Sequence, residues 1–453
     1  MAHWWNRYRD DLKTNFSLAY PVMLSQLGHV MMGVMDSVMV GHVGATSLAG
    51  ASLSNVVFNV ILFFGIGVSY AITPLIASAD GQQDKHRIIQ VLRHGLAINV
   101  TNAAVLACIV YFCRPLLYHI GQPDEVVEIA MPYLSIVAAS LLPTLIFQTF
   151  RQFTEGLSQT RIAMAVILGA NVLNILLNYI FIYGHLGLPA LGLTGAGIAT
   201  FLSRAAMAAS IVLAVYFGKR FRAYRPAFRF KAYSQSLFSE MLHIGLPAGA
   251  QFILEAAAFD FSAVMMGWLG TQTLAAHHIA INMATVSYMI TSGLGAAATI
   301  RVGYFIGAGD PHSLRRAIQS LLGMAMAIMT AWALLFILGR HWLPTLYIDD
   351  MEVIRTAGPL MIVAGLFQLS DGTQVVCASA LRGFKDVKVP MLYIFVAYWV
   401  IGLPLGYWLA FKMNMGGAGI WTGLLIGLSV TAAAMLLRLR HQIQKRLVTP
   451  VAD

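Results

Sequence analysis

Twelve runs of about twenty apolar residues, each long enough to cross a bilayer as a helix, decide what this chain can become. They lie near 16–40, 48–78, 91–112, 127–150, 161–183, 193–217, 240–266, 272–300, 317–339, 353–378, 388–411 and 417–437. Within lipid only helices and closed barrels satisfy every backbone polar group. These runs are too long, and lack the alternation, for barrel strands. The expectation is an all-α integral membrane protein with twelve transmembrane helices.

Charge placement orients it. Only 11% of the residues are charged, against 58% hydrophobic, whereas soluble domains carry about 25% charged residues. The net charge of +10 does not mark a nucleic-acid binder, because 24 of the 29 Lys and Arg fall in one alternate set of loops and termini. Arg114, Arg340, Arg355 and Lys412 lie on the other side, and Arg204 lies within a span. The positive-inside rule then predicts both termini in the cytoplasm of a multi-pass inner (plasma) membrane protein. The segment before the first span is too polar for a signal peptide. Cys108, Cys113 and Cys377 sit in apolar runs without metal-ligand spacing and read as packing residues. No G-x-x-x-x-G-K-[ST] loop is present, so ATP is not expected to power the chain, and no cofactor is expected.

The chain also repeats itself. At an offset of 226, Pro21, Gly41, Gly44, Leu48 and Ala49 meet Pro247, Gly267, Gly270, Leu274 and Ala275, and Gly67, Gly81 and Asp84 meet Gly293, Gly307 and Asp310. With one residue inserted, Glu125, Pro132, Gly156 and Met164 meet Glu352, Pro359, Gly383 and Met391. Gly195-Ala-Gly-Ile198 recurs as Gly417-Ala-Gly-Ile420. The predicted organisation is an N-lobe (1–217), a cytoplasmic connector (218–239) and a C-lobe (240–453). Six spans per lobe make both lobes enter from the same side, so a pseudo-twofold axis along the membrane normal should relate them. A cavity between the lobes and transport by rocking follow from that symmetry.

Four of the 19 acids lie well inside spans: Asp36, Glu255, Asp260 and Asp371. A charge at mid-bilayer costs about 2.5–3.5 kcal/mol on insertion scales, so each needs a hydrogen-bonding or a functional reason to be there. Hydrogen bonding within the bundle is the plainer reading, and Asp260 suits it best because it lies nearest its helix end. An acid without a basic partner can instead hold a proton or a cation, which is what an ion-coupled antiporter requires. Asn171, Asn174 and Asn178 recur along one face of the fifth span. Their amide oxygens beside Asp36 would be hard, neutral ligands for Na+, and the alternative is amide bonding between helices. Phe259, Met283 and Phe367, close in sequence or span to the C-lobe acids, are expected with Asp260 to line a substrate cavity for aromatic cations. Most other Met and Phe read as packing. The adjacent His277 and His278 could relay protons, but a structural place at a span end fits them better.

The segments Pro247 to Glu255, Gln368-Leu-Ser-Asp371-Gly-Thr-Gln-Val-Val, Leu381-Arg-Gly-Phe-Lys-Asp386 and Asn174-Ile-Leu-Leu-Asn178-Tyr-Ile-Phe-Ile-Tyr-Gly184 resemble the multidrug and toxic compound extrusion (MATE) family, in its NorM-type branch. The resemblance spans all twelve runs. It implies a V-shaped bundle of two six-helix lobes that exports cationic drugs in exchange for Na+ or H+. By position Asp36, Glu255 and Asp371 match the branch's membrane acids, and Asn174 with Asn178 its N-lobe polar pair, while Asp260 matches no acid of the pattern. The expected function is secondary active efflux of cationic amphipathic molecules by alternating access, from a monomer in the lipid bilayer that is not an enzyme. Two rivals have weaker support. A lipid-linked precursor flippase should carry a row of cavity cations where this chain has Arg204, and a membrane-embedded enzyme needs clustered acid–base groups where these acids are spread over three spans.

Overall fold

Residues 2–119, 122–228 and 233–448 are described by the computed structural model; residues 229–232 of the expected connector and the last five of the chain lie outside them. Among the described residues there is no strand, and twelve helical segments are long and apolar enough to span a membrane. They are α1 (Tyr8–Gly41), α2 (Ala45–Gly81), α3 (Lys85–His119), α4 (Asp124–Gly156), α5 (Thr160–Tyr183), α6 (Gly192–Phe217), α7 (Gln235–Trp268), α8 (Thr271–Gly307), α9 (Pro311–Leu338), α10 (Met351–Gly383), α11 (Lys388–Lys412) and α12 (Gly417–Leu447). The expected runs map onto these one for one.

The helices outrun the hydropathy, because a helix continues past the apolar stretch wherever its polar side chains find partners. α4 is the case that matters. Its apolar run ends near residue 150, yet its helix continues to Gly156, and Thr149, Arg151, Gln152, Thr154 and Glu155 are all buried. Two spans are interrupted: α2 turns at Tyr70 and Ala71, and α4 at Ser140. α11 is wound with π-helical turns at Phe395–Gly402 and Trp408–Lys412 on either side of Pro404. A proline ring collides with the carbonyl four residues back, and a widened turn relieves that collision.

The sequence repeat is a repeat of local structure. Asp84 caps α3 by accepting from the Arg87 N–H at 2.9 Å, and its counterpart Asp310 caps α9 by accepting from the Ser313 N–H at 2.9 Å. The residues before them, Gln83 and Gly309, both take left-handed φ, 58° and 67°. Gly44 and Gly270 precede α2 and α8 with φ of 153° and 116°, which a side chain would disfavour and which accounts for the recurring glycine.

The chain packs as two compact units, Leu24–Gly249 and Met1–Met23 with Ala250–Asp453. The first turns of α1 therefore belong with the C-terminal helices, and the first turns of α7 with the N-terminal ones. In the unit that holds most of the C-terminal half, Asp11 pairs with Arg301 at 2.5 Å and Arg316 at 3.4 Å, and the Asn15 amide donates to Ser320 Oγ at 2.7 Å. There Gly293 lies directly under Ala19 and Met23. In the unit Leu24–Gly249, Glu240 pairs with Arg87, Gly245 lies against the Val68 carbonyl, and Gly67 faces the Gly249 backbone. Phe221, in the 3-10 segment Lys219–Phe228, packs on Phe153 with ring centroids 5.8 Å apart.

A Cβ at Gly67 would fall inside van der Waals contact with Gly249, backbone against backbone. Overpacking of this kind costs about 1–3 kcal/mol. Gly67→Ala should lower the thermal unfolding temperature of the detergent-solubilised protein, whereas Gly169→Ala, where a Cβ meets nothing within 4 Å, should not.

Candidate functional site in each unit

In the unit Leu24–Gly249 the site is built on α1. Asp36 is 9% exposed, and each of its carboxylate oxygens accepts a hydrogen bond. Asn178 Nδ2 on α5 donates to Oδ1 at 2.6 Å, and Thr200 Oγ1 on α6 donates to Oδ2 at 3.1 Å. Asn178 Nδ2 also lies 3.2 Å from Asn174 Oδ1. The i, i+4 spacing of the two asparagines brings them to one helix face, as the sequence predicts. Asn171 does not join them, because its amide donates to the Gly28 carbonyl of α1 at 3.0 Å. The expected face of three amides is a pair.

Two buried atoms of that pair, Asn178 Oδ1 and Asn174 Nδ2, have no hydrogen-bond partner. Turning the Asn178 amide end for end would put its oxygen where its nitrogen stands, beside Asp36 Oδ1 and Asn174 Oδ1. Three oxygens, one of them charged, would then surround a single point, which is a setting for a small monovalent cation. As found, the two donors instead suit an ionised carboxylate without a metal.

Three groups near Asp36 went unread in the sequence as parts of its site. Thr200 supplies a donor; in the sequence it is marked by following the repeated Gly195-Ala-Gly-Ile198 as Thr422 follows Gly417-Ala-Gly-Ile420. Arg204, one helical turn from Thr200, donates from Nη1 to Ser140 Oγ at 2.7 Å and stacks its guanidinium 4.9 Å from the Phe58 ring. Its charge acts on Asp36 and on Tyr133. Tyr133 donates to Asn55 Oδ1 at 3.3 Å.

A second buried polar cluster lies in the same unit. Arg151 Nε donates to Glu155 Oε1 at 2.7 Å, with both side chains 3% exposed. Arg151 Nη2 reaches Gln26 Oε1 at 3.2 Å, and Nη1 lies 3.4 Å from His29 Nε2. The sequence reading puts this pair in a solvated loop; the extension of α4 to Gly156 buries it.

In the other unit Glu255 on α7 accepts from the Gln374 amide on α10 at 2.7 Å, and the Gln374 oxygen accepts from the Tyr398 hydroxyl on α11 at 3.3 Å. Asp371, one turn before Gln374, is 5% exposed and feels the Glu255 charge. Two acids from distant sequence therefore lie on helices that are joined by the Glu255–Gln374 hydrogen bond. The Arg382 charge also acts on Glu255, so an influence absent from the sequence reading is present here. Asp260, five residues further along α7, is exposed. Of the residues expected to line a cavity, Phe367 and Met283 belong to the packed core. Phe367 lies 5.8 Å from the fully buried Trp421 ring, and Phe259 is half-buried between Phe367 at 6.0 Å and Tyr398 at 5.8 Å. His277 is buried with its ring 5.8 Å from Trp421, and His278 is exposed. Among the described residues no group of three His, Cys, Asp or Glu could hold a metal ion.

The family model MatE matches this chain twice, over residues 21–180 and 247–408, so each match starts at one of the two repeated prolines. The chain belongs to the MatE family. Its relatives include the "Probable multidrug resistance protein NorM" of Rhizobium meliloti, 34% identical over 96% of this chain and 94% of that protein. Another is the "Multidrug resistance protein NorM" of Photobacterium profundum, 33% identical over 96% of each. Among solved structures, "Crystal structure of MATE in the bent conformation" superposes with a TM-score of 0.91, at 22% identity and 98% coverage of both chains. The eukaryotic MATE transporter AtDTX14 gives 0.85, at 21% identity and covering 97% of this chain and 98% of its own. These MATE likenesses agree with the twelve helices, and the protein is a multi-pass membrane transporter rather than an enzyme.

Proposed function

We propose that this MATE protein is a secondary antiporter that exports cationic amphipathic drugs in exchange for Na+ or H+. The observation that supports it best is the Gln374 hydrogen bond to Glu255, which ties this acid of α7 to α10 one helical turn from a second buried acid, Asp371. Two adjacent negative charges in low dielectric favour capture of one cation, whether a proton, a metal ion or the charged end of a drug. Competition for such acids couples two fluxes, since the site is not left charged and empty while the protein changes state. Asp36 with Asn174 and Asn178 is the second coupling site, in reach of Na+ through rotation of the Asn178 amide. We place the protein in the bacterial inner membrane as a monomer with both termini cytoplasmic, and take 1–217 and 240–453 as the lobes that alternate access.

Exchanged one for one, a monovalent drug and the ion carry no net charge across, so the ion's concentration gradient drives export: a tenfold inward gradient supplies about 1.4 kcal/mol, enough to concentrate the drug about tenfold outside. Proteoliposomes loaded with a fluorescent organic cation should lose or gain it when an inward Na+ or proton gradient is imposed, and not without one. Transport on a pH gradient in Na+-free buffer identifies the proton as sufficient. No movement under either gradient refutes antiport.

A further inference from the structure

Arg204 is a base buried in a membrane span, and its surroundings hold it in place. The two helices of α4 meet at Ser140, whose hydroxyl donates to the Val137 carbonyl at 2.6 Å. That bond fixes the hydroxyl so that its oxygen accepts from Arg204 Nη1 at 2.7 Å. The Phe58 ring of α2 covers the guanidinium at 4.9 Å, a contact that favours a cation. Arg204 lies four residues after Thr200, on the same face of α6, and Thr200 holds Asp36 at 3.1 Å. Arg204 therefore carries a permanent positive charge one helical turn along α6 from the residue that donates to Asp36, within electrostatic range of that carboxylate, while its own hydrogen bond goes to Ser140.

The other groups around Asp36 do not duplicate that charge. α2 offers the Asn55 amide, which accepts from the Tyr133 hydroxyl of α4. α5 offers the two asparagines and Tyr183, which donates to the Met39 carbonyl at 2.9 Å. On α1 itself His29 lies two turns before Asp36, beside Arg151, and Arg151 is neutralised by Glu155.

We propose that Arg204 is the fixed counter-charge of the Asp36 site and sets how tightly that acid holds its monovalent cation. When Asp36 is empty, Arg204 offsets its charge, so the carboxylate is not alone in the membrane. When a proton or Na+ binds, the site becomes net positive, and repulsion from Arg204 favours release. A transport site must bind strongly enough to load and weakly enough to empty, and Arg204 supplies the second half of that requirement. It acts through Asp36 and is a positioning residue.

The inference rests on reading Asp36 as a cation-holding acid, and its test needs no transport. A hydrophobic carbodiimide modifies protonated buried carboxyls, and peptide mapping reports modification at Asp36 in the solubilised full chain. We would follow labelling against pH, and protection from labelling against Na+ concentration, in the wild type, Arg204→Gln and Arg204→Lys. In Arg204→Gln the labelling midpoint should move up by about one pH unit. If Na+ protects the wild type, the concentration that halves labelling should fall about tenfold. Arg204→Lys, which keeps the charge but not the fork, should stay near wild type in both. Coincident curves for the wild type and Arg204→Gln overturn the proposal and leave Arg204 as a packing partner of Ser140 and Phe58. A shifted curve in a protein that moves no drug supports this inference and refutes only the antiporter reading.

Discussion

Glu255→Gln should reduce drug export at least about tenfold, while Asp260→Asn should leave most of it. The two residues share one helix, and five residues at 100° each set them about 140° apart around its axis. From Glu240 near the start of α7, Glu255 lies about 22 Å along the helix and Asp260 about 30 Å. The structure bears out the separation: Glu255 is held by Gln374 next to Asp371, and Asp260 is exposed. A hydrogen bond to a charged group contributes about 1.5–3 kcal/mol, and a neutral amide at 255 loses that charge for any cation the site binds. Asp371→Asn removes the other charge of the pair and should behave like Glu255→Gln. Efflux from cells or proteoliposomes matched for protein amount decides it. A dead Asp260→Asn beside an active Glu255→Gln would mean that the opposite face of α7 meets the substrate.

The largest stability effect is expected at the far end of α4. Glu155→Ala removes the only carboxylate paired with Arg151 among the described residues and leaves a guanidinium buried with an amide and an imidazole for company. Breaking a buried ion pair from one side costs about 3–5 kcal/mol, because the remaining charge stays desolvated. The thermal unfolding temperature of the solubilised protein should fall clearly, and less folded protein should reach the membrane. Replacing both partners, as Arg151→Met with Glu155→Leu, removes the stranded charge and should recover most of the loss. If Glu155→Ala unfolds at the wild-type temperature, the pair contributes nothing net, and water must reach Arg151.

Much of this was legible in the chain because a membrane simplifies the physics. A run of apolar residues has few fates in lipid, so twelve runs became twelve helices. The offset of 226 survives as the paired caps Asp84 and Asp310 and the paired glycines Gly44 and Gly270, because a cap and a left-handed turn are written within four residues of sequence. Asp36 and Glu255 stood out because acids are rare and costly in such runs. The spacing of Asn174 and Asn178 was enough to put both on one helix face.

Other features needed the folded molecule. Glu155 and Arg151 look like loop residues by hydropathy, which averages over a window and cannot tell a buried polar network from a solvated one. Asn171 has the same periodicity as its neighbours and still turns to Gly28, because which carbonyl lies opposite is a property of helix packing. Phe367 and Met283 are the right residue types for a cavity, yet both belong to a packed core, Phe367 against the Trp421 ring. The early turns of α1 and α7 each pack in the unit that holds the other half of the sequence. The sequence by itself determined the number of spans, their expected orientation, the internal repeat and the acids to ask about, since each follows from local chemistry in lipid. Only the tertiary structure decided which amide holds Glu255 and which donors hold Asp36, because those are contacts between helices more than a hundred residues apart, 119 for Glu255 with Gln374 and 142 for Asp36 with Asn178.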